Sequence, residues 1–363
     1  MSTSPADLAP RLLAWLRATL AQPELTISAL TAPTAGYSNV TLLGTLHSSA
    51  TRQRDFVLRL QPPGDSIYPD HDVTRQYRVM QALARGGIPV PDLLGLETDP
   101  SILGGPFYLM TRIEGRVPNE NPLYHLEGWF HDLSAEHQRR CWFAGIDMLG
   151  KLARLDWRAL GLQFLLEGAD DPEAPNQSPL ARQLDYYARA VRWAEQLAGR
   201  EYPLLHAGER WLRAHRPVAE PLAFSWGDAK LGNCIFDGDE LAAVLDFEQA
   251  TIANPVDDLA WWLMLDDSLS RGYGVPRLVS LPARAETIAR WEAASGFEAR
   301  DLDYYEVYAA WRMAFVMARI AHIFRTRGWI APDSDMDVNN GGATLIAAHL
   351  ERSGVSVSSG SQR

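Results

Sequence analysis

The segment FSWGDAKLGNCIF, residues 224–236, sets Asp228, Lys230 and Asn233 between apolar runs, and LDFE places Asp246 thirteen residues after Asn233. An acid, an amine and an amide at this spacing suit the transfer of a phosphoryl group. That reaction needs a carboxylate to orient or deprotonate the accepting hydroxyl, and oxygen ligands that hold Mg²⁺ on the phosphates. Mg²⁺ takes hard oxygens, commonly one or two carboxylates completed by phosphate and water. Asp228 is therefore the candidate base, Asn233 and Asp246 are the candidate metal ligands, and Lys230 is placed to neutralise charge on the moving group. Each residue alone has a plainer reading: Asp228 could cap a loop, Asn233 could sit in a turn, and Asp246 could end a strand by bonding nearby amides.

Positioning these groups requires a hairpin. NCIF and LAAVLDF flank the acidic turn DGDE, and two antiparallel strands joined there would bring the Asn233 end beside the Asp246 end. This β-rich island, 222–250, is set among helical periods at 134–157, 178–199 and 303–325. Ahead of it the class changes. YSNVTLLGTL (37–46) and RDFVLRL (54–60) read as a hairpin, 72–87 as a helix with Val73, Tyr77, Met80 and Ala84 on one face, and IPVPDLLGLETD and PFYLMTRIEG as two further strands. An amphipathic helix opens near Ser4–Pro5. The expected division is a small lobe over 1–112, a helical lobe over 113–350 and a Ser/Gly-rich flexible tail over 351–363.

Composition narrows the function classes. The 363 residues favour two lobes over one core, and 47% hydrophobic against 22% charged residues is globular. A net charge of −11 argues against a nucleic-acid partner, which needs a concentrated basic face. Two cysteines make neither a disulfide framework nor a four-ligand zinc site. The N-terminus lacks a secretory pattern, and the run LAWWLML (259–265) is far too short to span a membrane, so a soluble, cytoplasmic protein is expected, as monomer or homodimer.

The D-x-K-x-x-N spacing matches the protein-kinase catalytic loop, and DFE stands where kinases carry D-F-G. Together with AGYSNVTLLG, DFVLRLQPPG, DVTRQYRVMQAL, VLDFEQATIANPVDDLAWW and YYEVYAAWRM, the chain resembles the aminoglycoside phosphotransferase family of small-molecule kinases. It is most similar to the branch of kinase-like domains fused to, or encoded beside, some acyl-CoA dehydrogenases. The resemblance implies an α+β, protein-kinase-like two-lobed fold, with a small antiparallel β lobe carrying one helix and a large, mainly helical lobe, and with ATP between them. It implies ATP and Mg²⁺ as cofactors, Asp228 as base, Asn233 and Asp246 as metal ligands, and Asp258 as a brace for the catalytic loop. Gly36, Tyr37, Ser38 and Asn39 would cover the phosphates, and the backbone from Thr111 to Ile113 would meet adenine.

Three positions depart from the family. Trp226 replaces the usual His before G-D, Arg59 replaces the phosphate-binding Lys, and Gln76 replaces its Glu partner, so that a hydrogen bond to Arg59 is expected in place of an ion pair. Arg keeps the charge, but its fork is longer and planar. The 12 Trp and 12 Tyr belong mostly to the core, with a minority free to line an apolar acceptor pocket. By resemblance, the acceptor is a small-molecule hydroxyl, best a hydroxyacyl-CoA such as a 4-hydroxyacyl-CoA, handled beside an acyl-CoA dehydrogenase-like enzyme. An aminoglycoside-type antibiotic kinase and a nucleotide-binding pseudokinase stay open, as does the choice between ATP and GTP.

Overall fold

The computed structural model describes residues 4–32, 40–48, 53–61, 64, 66–167, 177–218 and 221–354. The chain divides into two units, Met1–Glu114 and Gly115–Arg363.

In the first unit, helix α1 (Pro5–Thr19) starts where the Ser4 side chain accepts from the Asp7 amide and Pro5 takes the first helical position. A five-stranded antiparallel sheet follows, from β1 (Thr26–Ile27), β2 (Val40–His47), β3 (Arg54–Leu60), β4 (Leu93–Glu97) and β5 (Phe107–Thr111), in the spatial order β1-β2-β3-β5-β4. Helix α2 (Val73–Arg85), capped by Asp72, and the single turn α3 (Pro100–Leu103) lie in the connections. Strand alternation sorts the faces. Phe56, Leu58 and Leu60 of β3 and Phe107 and Leu109 of β5 join Leu8, Leu12, Trp15 and Leu16 of α1 in one core. Arg59 and its register partner Tyr108 point to the other face, where α2 packs on β5.

The second unit is mainly helical. Its elements are α4 (Ala135–Ala153), α5 (Phe164–Glu167), α6 (Pro179–Ala198), α7 (Pro203–Ala214), the strands β6 (Ala223–Ser225), β7 (Cys234–Asp237), β8 (Glu240–Val244) and β9 (Thr251–Ala253), then α8 (Val256–Leu269), α9 (Arg284–Ser295), α10 (Leu302–Thr326) and α11 (Gly341–Arg352). The expected hairpin forms from β7 and β8, with Cys234 opposite Val244 and Gly238 in the turn at φ 63°. Helix α8 presents in the sequence only as an apolar run: it is buried on nearly every side, so it shows no amphipathic period. The β6–β9 pair also escaped the pattern, since strands of three residues are too short to alternate visibly. Among the described residues no helix is long and apolar enough to cross a membrane.

Candidate active site

The second unit builds the candidate catalytic loop on the β6–β9 ladder, in which Ser225 pairs with Thr251. The chain then turns sharply at Gly227, with φ at 85°; a Cβ there would lie 2.2 Å from the Gln249 carbonyl oxygen, so both the angle and the space demand glycine. Asp258, in the first turn of α8, holds this turn from beneath. Its Oδ1 accepts from the Ser225 hydroxyl at 2.8 Å and the Gly227 amide at 2.9 Å, and its Oδ2 accepts from the Trp226 amide at 2.7 Å. Burial, together with neighbouring Asp257, pushes the Asp258 carboxyl up to about 6, against the pull of those donors. Trp226, fully buried, packs near Phe247 and donates its indole N–H to the Leu245 and Asp246 carbonyls at 2.8 and 3.2 Å. The indole thus ties the loop to the Asp246 segment by packing and by hydrogen bonds.

Asp228 follows directly. Its Oδ1 accepts from the Trp261 indole N–H at 2.9 Å, and its Oδ2 accepts from Asn233 Nδ2, also at 2.9 Å. Asn233 closes a 3₁₀ turn, Leu231–Asn233, and its Nδ2 also donates to the Asp228 carbonyl. With Nδ2 turned to Asp228, the amide oxygen is the donor atom left for a cation. The Leu245 amide donates to the Asn233 carbonyl at 2.9 Å, so the hairpin sets Asn233 and Asp246 at neighbouring positions, as the spacing predicts. Asp246 takes a left-handed backbone, φ 63°, which is strained for a residue other than glycine. Lys230 Nζ lies 3.5 Å from Asp228 Oδ2 and 3.1 Å from Glu120 Oε1. Burial works against its charge, but Asp228 and Glu120 outweigh it and hold the ammonium pKa well above the ordinary lysine value.

In the first unit, Arg59 donates to Thr41 Oγ1 at 3.3 Å. Gln76 does not bond to Arg59 as expected: its Oε1 accepts from the Tyr108 hydroxyl at 3.2 Å. Tyr108 stands opposite Arg59 in the register and its hydroxyl reaches Gln76 on α2, while Arg59 turns to Thr41 on the neighbouring strand β2. The Thr111 and Arg112 amides are taken by the Asp92 and Asp55 carbonyls, whereas the Ile113 amide donates to no group among the described residues. Of the expected adenine contacts, Ile113 is therefore the residue with an amide to offer. Gly36, Tyr37, Ser38 and Asn39 lie outside the described residues.

Glu120 and Trp261 carried no sequence signal as site residues. Glu120 comes from 110 positions before Lys230, and its carboxylate lies close over Gly232, 2.5 Å from where a Cβ there would sit. Trp261 was legible as one of many core aromatics, and its hydrogen bond to Asp228 emerges only from the seating of α8.

The sequence profile of the phosphotransferase enzyme family matches residues 29–311. Acyl-CoA dehydrogenase family member 10 of Mus musculus is 32% identical over 214 residues, 57% of this chain and 18% of that protein, so the match spans less than a fifth of the relative's length. A Ralstonia eutropha protein, assigned as an aminoglycoside phosphotransferase, has a crystal structure that superposes with a TM-score of 0.66 at 21% identity, over 94% of this chain and 95% of that one. The ternary complex of APH(2")-IIa with streptomycin and ATP gives a TM-score of 0.51 at 12% identity, over 96% and 97% of the two chains. At such identities the two likenesses establish the kinase-like fold. The family profile covers most of the chain, and with it the chain belongs to the phosphotransferase enzyme family.

Proposed function

We propose that the chain is an ATP- and Mg²⁺-dependent kinase that phosphorylates a hydroxyl of a small metabolite, with a hydroxyacyl-CoA, such as a 4-hydroxyacyl-CoA, as the acceptor. The observation that carries the reading is Asp228, whose two carboxylate oxygens are each held by one N–H donor beside Lys230. A carboxylate so oriented accepts the proton of the acceptor hydroxyl. The hydroxyl oxygen bonds to the γ-phosphorus, the bond from that phosphorus to the β–γ bridging oxygen breaks, and ADP leaves with the electron pair. Lys230, kept charged by its two carboxylates, would offset the negative charge on the transferred group.

The donor set fits Mg²⁺: Asn233 offers an amide oxygen and Asp246 a carboxylate, both hard, on neighbouring hairpin positions. Held there by Asn233 and Asp246, the ion would supply positive charge against the phosphates of the nucleotide. Arg59 is assigned to the phosphates, with Gln76 acting through Tyr108 as a neutral support; Thr111 and Ile113 are assigned to adenine, and Gly36, Tyr37, Ser38 and Asn39 to the loop over the phosphates. The acyl-CoA preference is supported by a relative that carries an acyl-CoA dehydrogenase name, and it suggests action beside such an enzyme.

The test is ADP release from Mg-ATP with 3- and 4-hydroxyacyl-CoAs, free hydroxy acids and aminoglycosides, using Asp228→Ala as control. Turnover on the thioesters, reduced at least ~10²-fold in the variant, is expected. Turnover on aminoglycosides alone would reject the acceptor class, and an unimpaired Asp228→Ala would reject the base.

A further inference from the structure

The motif YYEVYAAWRM, 304–313, has no place yet in the chemistry, although it supplies α10 with Arg312, which is 1% exposed. Its guanidinium donates to Asp257 Oδ1 at 2.9 Å, and Asp257 is equally buried. The same guanidinium lies 4.6 Å from the Trp261 ring centre, 4.6 Å from that of Tyr308 and 5.8 Å from that of Tyr187. Trp261 then donates its indole N–H to Asp228 Oδ1. A continuous chain of contacts therefore runs Asp257, Arg312, Trp261, Asp228.

Stability alone is a poor reason for this arrangement. Two ions taken fully out of water seldom gain over apolar residues of the same volume, and they do so only when every remaining polar atom is bonded. Here Arg312 Nε and Asp257 Oδ2 find no hydrogen-bond partner among the described residues. What the pair does supply is orientation. A guanidinium seated over an indole restrains the tilt and rotation of the ring, and the ring's N–H is aimed at a carboxylate oxygen. The adjacent acids of α8 thereby divide the work: Asp258 holds the loop backbone, and Asp257, through Arg312, holds the ring that holds the side chain.

We propose that Trp261 and Arg312 are positioning residues that fix the Asp228 carboxylate for proton transfer. The inference rests on Asp228 being the base. Near-attack geometry is worth a great deal in such a step, since small misplacements cost rate steeply.

Trp261→Phe keeps an aromatic ring beneath Arg312 and removes the N–H; Arg312→Lys keeps a cation for Asp257 and removes the planar stack. Both are to be compared with the parent by thermal melting, by KM for Mg-ATP and kcat with a 4-hydroxyacyl-CoA, and by ¹H–¹⁵N spectra of indole-labelled protein. The Trp261 cross-peak is assigned by its loss in Trp261→Phe. Expected are melts close to the parent, an unchanged KM for Mg-ATP and a kcat lowered roughly 10- to 100-fold in Trp261→Phe. The Trp261 cross-peak should move in Asp228→Asn and again in Arg312→Lys. A folded Arg312→Lys whose cross-peak and kcat stay with the parent would overturn the role of Arg312. A Trp261→Phe with parental kcat would overturn the whole chain, and it decides the matter if Arg312→Lys does not fold. The spectra need no turnover, so a cross-peak that ignores Asp228→Asn rejects the inference even if no acceptor is found. Transfer surviving in Asp228→Ala instead rejects the base while leaving the contact chain standing.

Discussion

At the scale of single residues, Asp258 joins two opposed demands. Its carboxyl is pushed up to about 6 chiefly by burial and then by Asp257, itself paired with Arg312, while three donors favour its ionised form. A folded-state pKa raised above the ordinary 3.8 contributes stability that is fully present below that value and is lost as pH rises through about 6. Activity should run the other way, because protonating either Asp258 oxygen sets an O–H against a group that donates to it and loosens the 225–227 turn. On lowering the pH from 7 to 5, kcat is expected to fall with a midpoint near 6 while Asp258 adds no loss of melting temperature. Asp258→Asn should be at least ~10-fold slower and lack that limb, since one amide oxygen cannot serve three donors. A limb at the same pH in the Asn variant would assign it elsewhere. Asp228, Lys230, Asn233 and Asp246 were legible as a set because a short hairpin fixes their spacing in the sequence itself. Glu120, Trp261 and Arg312 were not, because helix packing brings them in from distant positions and packing leaves no local spacing to read.

At the scale of elements, the site depends on where β6 ends and α8 begins. The β7–β8 hairpin, α2, α4, α6 and α10 were legible, each showing alternation or a helical period with punctuation by Gly, Ser or Asp. Helix α8, which carries both Asp258 and Trp261, was hidden by its own burial. The turn that joins these parts can be tested at Gly227. An alanine there faces a left-handed backbone costing about 1–2 kcal/mol, and its Cβ would meet the Gln249 carbonyl at 2.2 Å. Gly227→Ala should therefore melt several degrees below the parent, and lose most of its kcat even at temperatures where it stays folded, since Asp228 is the next residue. A variant with parental kcat and melting temperature would show that the loop relaxes freely and that the turn does not set the base.

At the scale of the whole molecule, the question is whether the folded chain gains stability from Mg-ATP through Asp246. A ligand that binds only the native state adds about 2.7 kcal/mol at one hundred times its Kd. In a chain of this size that corresponds to a rise in melting temperature of roughly 3–4 °C. The chain's net charge of −11 opposes an approaching polyanion, so the metal complex should stabilise it more than ATP alone. Asp246→Asn separates the metal from the fold. Asn tolerates the left-handed backbone that residue 246 adopts at φ 63°, so the substitution removes a charge without adding strain. The variant, melted without ligand, is expected to match the parent, and ATP without Mg²⁺ should shift both alike. The additional shift on adding Mg²⁺ should shrink or vanish in Asp246→Asn. If it persists undiminished, Asp246 does not hold the cation, and the carboxylate at the end of the hairpin is there for the backbone instead.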